Sequence, residues 1–118
     1  MRLATFIAGG NECTITSFPG DVGGLRANVD RWLGPGQLDA DLSGEAVADF
    51  IAGADALTTK GGLHGVFLDF TSLAGEGNSM LAAVLKKDDA TVFVKFMGPR
   101  EVLEKEREMF LALAESLE

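Results

Sequence analysis

The chain has 118 residues, 47% of them apolar, with 18 acidic against 10 basic side chains and a formal charge of −8. That length and apolar share suit one domain built around one core and exclude a disordered chain. The negative balance argues against nucleic acid and anionic lipid as partners, since both are held by Lys and Arg neutralising negative charge.

Residues 2 to 8 and 12 to 18 read as two strands joined through Gly9-Gly10-Asn11, a turn composition that makes them a hairpin, ended by Pro19-Gly20. Asp21 is placed to cap a short helix in which Val22, Leu25, Val29, Trp32 and Leu33 share one face, and Gly34-Pro35-Gly36 stops it. A second helix starts near Ser43, with Glu45 in its first turn and Val47, Phe50, Ile51 and Ala54 along one stripe.

After a loop from Thr58 to Gly62, the β-branched and aromatic run from Gly65 to Thr71 reads as strand. A Gly-rich loop, Gly75-Glu76-Gly77-Asn78, leads into Met80 to Leu85, and a charged turn from Lys86 to Ala90 separates these from Thr91 to Met97. The three strands form a meander. Gly98-Pro99 opens a final helix whose Val102, Leu103, Met109, Phe110, Leu113 and Leu117 fall in one wide arc. The expected fold class is α+β, in the order β-β-α-α-β-β-β-α: a mostly antiparallel sheet of about five strands flanked by helices, in one domain over residues 1–118.

The residues that carry chemistry are sparse. Cys13 is the lone cysteine, so no internal disulfide and no thiolate zinc cluster can form, and its Thr14-Ile15-Thr16 context is that of a buried strand position. His64 is the lone histidine and has no metal-ligand spacing around it, so no metal and no cofactor is expected. Gly20-Asp21-Val22-Gly23-Gly24 lacks dinucleotide spacing and sets an acid where phosphate would lie, and the serines have no G-x-S-x-G elbow. Asp69 interrupts an apolar strand, either on the solvent face or lining a cleft. Glu106 falls near the middle of the last helix's apolar arc, where a carboxylate is costly unless paired, so a structural ion pair with Lys95 is expected, with Arg31 as the other available base.

The segment from Gly23-Gly24-Leu25-Arg26-Ala27-Asn28-Val29-Asp30-Arg31-Trp32 to Gln37-Leu38 resembles the GGLLANVNRWRGQ signature of an uncharacterised bacterial lipoprotein-like family. Thr91 to Pro99 is similar to that family's WFFKLTGP stretch, and Phe110 to Leu117 to its closing helix; Leu33 departs from it, standing where the family has a second arginine. The resemblance implies a Mog1/PsbP-like fold, an αβα sandwich whose members are mostly non-enzymatic binding or assembly factors. It also draws attention to Asn28, Arg31 and Trp32, either as packing residues or as one wall of a groove for a peptide or small molecule.

The leading expectation is therefore a non-catalytic domain of bacterial origin that binds an unidentified protein or small molecule at Asn28, Arg31 and Trp32. The alternatives are a small enzyme using Asp69, Glu106 and His64, and a purely structural homo-oligomeric subunit. No run of about 18 apolar residues exists to span a membrane. Met1 to Ala8 is too short for a secretory core, which assigns the chain as given to the cytoplasm, or to the cell envelope or periplasm where a leader has been removed.

Overall fold

The computed structural model describes residues 2–8, 10–20, 24–34, 38, 42–73, 78–87 and 89–117. Asp21, Val22 and Gly23, the stop at Pro35-Gly36, Gln37 and the loop glycines Gly75 and Gly77 lie outside them. The strands are β1 (Arg2–Ala8), β2 (Asn11–Pro19), β3 (Asp55–Thr58), β4 (His64–Asp69), β5 (Asn78–Lys87) and β6 (Ala90–Pro99). The helices are α1 (Gly24–Leu33), α2 (Gly44–Ala52), α3 (Arg100–Lys105) and α4 (Arg107–Glu115), and a single 3-10 turn spans Phe70–Ser72.

The strands form one antiparallel sheet in the order β1-β2-β6-β5-β4-β3, so the first hairpin docks onto the last strand, with Cys13 opposite Phe96 and Thr16 opposite Phe93. The class is α+β, as the residue pattern implies. The central pair explains the architecture. Along β5, Met80, Ala82 and Val84 face one side while Leu81, Ala83 and Leu85 face the other, and all six are buried. A strand apolar on both faces needs a cover on both.

The first side is covered by α1 and α2 through Val29, Trp32, Leu33 and Val47, which pack on Phe93, Phe70 and the even-numbered β5 residues. The second is covered by α3 and α4 through Leu103, Phe110 and Ala114, against Ile15, Val94 and Phe96. Trp32 anchors the first layer, standing edge-on to Phe93 at 5.6 Å and to Phe70 at 6.3 Å between ring centroids, an arrangement that suits the aromatic quadrupole.

Two expectations are corrected. The sheet has six strands among the described residues rather than about five, because Asp55–Thr58 pairs with β4. Only Leu57 is buried in that four-residue stretch, so it carries no periodicity to announce a strand. The single C-terminal helix is two, bent at Glu106, whose φ of −99° and ψ of 9° leave the helical well. The hydrogen bonds still run through the bend, Glu106 N–H to Val102 O and Phe110 N–H to Glu106 O, both at 2.9 Å. Ser43 caps α2 as its position suggests, its hydroxyl accepting from Ala46 N–H at 3.1 Å.

Gly65 marks a close approach of β4 and β5. A Cβ there would overlap the Val84 carbonyl oxygen and come within 2.9 Å of its carbon and 3.1 Å of Leu85 Cα, all backbone of β5. Gly65→Ala must push two paired strands apart and is expected to lower stability by roughly 2–3 kcal/mol in urea denaturation. A loss below roughly 0.5 kcal/mol would mean that β4 and β5 do not approach this closely.

Candidate functional site

Helix α1 brings Asn28, Arg31 and Trp32 to the same side of the sheet but to different depths. Asn28 is 2% exposed, and its Nδ2 donates to Gly24 O at 2.7 Å, closing the first turn of its own helix. Trp32 is 1% exposed, and its indole N–H has no acceptor among the described residues. Both belong to the core, so of the three only Arg31 offers surface to a ligand.

The sheet supplies a second cation. Lys95 alternates with Val94 and Phe96 on β6, so it lies on the α1 side, where its Nζ sits 5.3 Å from the Trp32 ring centroid; the Arg31 guanidinium carbon lies 5.9 Å from the same centroid. Burial pushes the Lys95 ammonium below its usual pKa, and the Arg31 charge pushes it further in the same direction. Contact with the indole, worth about 0.5–1 kcal/mol, opposes these without removing the repulsion by Arg31. Neither cation has an ion pair within 4 Å among the described residues.

The expected Lys95–Glu106 pair is not brought together. Lys95 faces α1, whereas Glu106 lies at the α3–α4 bend, the layer on the opposite face of the sheet, and neither Lys95 nor Arg31 reaches its carboxylate. The bend explains how Glu106 does without a base. Turning out of the helical well at this residue leaves its side chain half-buried at the helix junction rather than in the apolar arc a straight helix would give it.

Asp69 ends β4 on the α4 side, where its carboxylate is already committed. Oδ1 accepts from Thr71 N–H at 3.0 Å and from the Thr71 hydroxyl, and Oδ2 pairs with Arg107 Nη2 at 2.7 Å. Arg107 also donates to Thr71 Oγ1 at 2.8 Å, while Arg100 Nη1 donates to Thr71 O at 2.6 Å and Leu73 O at 3.1 Å. Two arginines from the C-terminal helices thus clip the 3-10 turn to the sheet. Asp69 also borders two open depressions, one of about 460 Å³ beside Asp49, Asp55 and Leu73, the other of about 480 Å³ beside Asp55, Arg107 and Leu111.

His64 is exposed at the far end of β4, about 17 Å from Asp69 at strand rise, and Glu106 borders neither depression. The three residues of the enzymatic alternative are therefore not gathered in one place. Cys13 is fully buried, and burial pushes its thiol up to about 11, far from nucleophilic at neutral pH. Among the described residues, no three His, Cys, Asp or Glu side chains gather as metal ligands, and no helix is long and apolar enough to cross a membrane.

Comparison with protein-family models, curated proteins and solved structures gives no match. Function must be read from the site. The residues that sequence reasoning missed are Thr71, Arg100 and Arg107, whose contacts through the two arginines bridge 27 to 38 positions and leave no local trace. Only Asp69-Phe70-Thr71 carried a signal, as a spacing at which an aspartate caps its own following turn.

Two measurements separate structural from available charges. A double-mutant cycle on Asp69→Ala and Arg107→Ala should give a coupling of roughly 1 kcal/mol, the pair being only partly exposed. A coupling near zero would remove the clip. Lys95→Met should leave stability at pH 7 unchanged or raised by about 0.5 kcal/mol, because an ammonium whose folded-state pKa is lowered costs stability while it is charged in both states. As pH rises through the folded pKa toward the ordinary lysine value, the folded protein sheds this proton before the unfolded chain does. The variant's advantage should then shrink by about pH 10. A loss above about 1 kcal/mol at pH 7 would make Lys95 a structural residue.

Proposed function

We propose that this chain is a non-catalytic binding domain of bacterial origin that takes a small molecule or a segment of another protein on the α1 side of its sheet. The single observation that carries this reading is the pair Arg31 and Lys95, two cations without carboxylate partners among the described residues, both beside one tryptophan in a chain of charge −8. A half-buried lysine that costs stability and closes no such ion pair is better suited to an incoming group than to the fold. Asn28 and Trp32 enter as the support beneath the two cations rather than as contacts. An antiparallel sheet between two helical layers, of the α+β class, leaves two covered faces on which a partner could be received, and the lipoprotein-like resemblance adds the analogy of mostly non-enzymatic binding factors.

A role as a homo-oligomeric structural subunit has one observation in its favour. Phe6 and Ile7 are 44% and 67% exposed on the edge strand β1, where an unpaired backbone can accept another strand.

Nitrogen-15 NMR of the labelled chain, titrated with a fragment set containing anionic, cationic and neutral members, tests the binding reading. Shifts should cluster at Arg31, Trp32, Lys95 and Thr14, and Arg31→Ala should remove them without lowering the unfolding midpoint. A map centred on Asp49, Asp55 and Asp69 would move the site to the depressions and overturn the proposal.

A further inference from the structure

We propose that the shelf formed by Arg31 and Lys95 over Trp32 is an oxyanion site, holding the carboxylate or phosphate group of a small metabolite between the two cations; the inference rests on the binding reading above. The other arginines of described placement show what a structural base does in this molecule. Arg26 pairs with Asp30 at 3.2 Å, Arg107 with Asp69 at 2.7 Å, and Arg100 directs its guanidinium to two backbone carbonyls. Arg31 is the neighbour of Asp30, yet that carboxylate turns to Arg26 instead.

Shortage of acids does not explain the pattern, since the chain carries 18 acidic side chains against 10 basic ones. Two like charges held near one ring repel each other, and burial of one strengthens the repulsion. An anion placed between them reverses the sign of both interactions. The donors are of the kind an oxyanion needs. Arg31 offers a guanidinium fork that can take two oxygens at once, Lys95 offers an ammonium that turns freely, and Thr14 sits opposite Lys95 on β2. Thr14 and Thr16 are half-buried and occupy the same face, and Thr16 is opposite Phe93, so a hydroxyl row runs beside the cations.

Among the described residues, the charged groups on the elements around Lys95 are few. On β2, Glu12 shares the face two residues from Thr14 and makes no ion pair with Lys95; on α1 stand Arg31 and the Asp30 already held by Arg26. On β5 the residue opposite Lys95 is Ala82, flanked on that face by Met80 and Val84, none of them titratable. Acetate affinity should therefore stay level through neutral pH and fall once pH rises through the Lys95 pKa.

The test titrates labelled protein with inorganic phosphate and, separately, acetate, at constant ionic strength set with chloride, following the Arg31 Nε–H, the Trp32 indole N–H and the Lys95 amide. Saturable shifts at these three are expected, with phosphate and acetate as the arms that distinguish the two oxyanion sources. Arg31→Gln and Lys95→Met should each weaken binding roughly tenfold, while Lys95→Arg should stay within about threefold of wild type. Arg31 is exposed, so its variant keeps the test valid if Lys95→Met alters the fold.

If ethylammonium or a neutral fragment saturates the shelf while phosphate and acetate do not, the oxyanion assignment is overturned and the binding reading stands. If anion shifts persist undiminished in both variants, the assignment is overturned as well. If no probe saturates the shelf, both readings fall together.

Discussion

The β5–β6 pair has no face to spare for water. With Met80 to Leu85 buried on both sides and Phe93, Val94 and Phe96 alternating beside them, the chain must supply two separate helical covers. It draws them from different places: α1 and α2 come from the middle of the sequence, α3 and α4 from its end. Each cover then carries its own polar groups. On the α3–α4 side, arginines close onto Asp69, Thr71 and backbone carbonyls; on the α1 side, Arg31 and Lys95 make no ion pair with a described residue.

This division explains why the two polar features of the molecule differ in character. Asp69 sits where a strand stops, a turn begins and two helices arrive, so both oxygens of its carboxylate meet donors. Such a group is held rather than poised, and its location beside two depressions does not free it. Lys95 sits instead within a strand, flanked by Thr14 and Ala82, where its cross-strand neighbours offer no carboxylate and the helix above offers Arg31 and an Asp30 already held by Arg26.

Much of the fold was legible because the apolar pattern is strong. The first hairpin, the two middle helices, the closing meander and the C-terminal helical segment follow from turn residues and periodicity, and Ser43 announced its cap. What escaped was either too short to have a period, as with Asp55–Thr58, or non-local, as with the arginine clip. The site was half legible. The Arg31-Trp32 sequence drew attention to the right helix, and the apolar face that Trp32 shares with Val29 and Leu33 is the one the structure buries, which leaves Arg31 alone of the candidates at the surface. Pairing Lys95 with Glu106 failed because reasoning along the chain does not say which face of a sheet a helix will cover.

Docking the first hairpin on the last strand has a consequence for how the molecule comes into being. Strand β2 meets β6 only after all the elements between them exist, as Cys13 opposite Phe96 makes plain. A chain made from its N-terminus therefore carries β1 and β2 with no sheet to join until β6 has been made, and the closing step is a long-range encounter of the slow kind. Cys13 and Ile15 pass that interval without their eventual cover, and Phe6 and Ile7 never acquire one in the single chain. The N-terminal hairpin is thus the part of the sheet that waits longest for its partner and the one most open to being seated on the wrong neighbour.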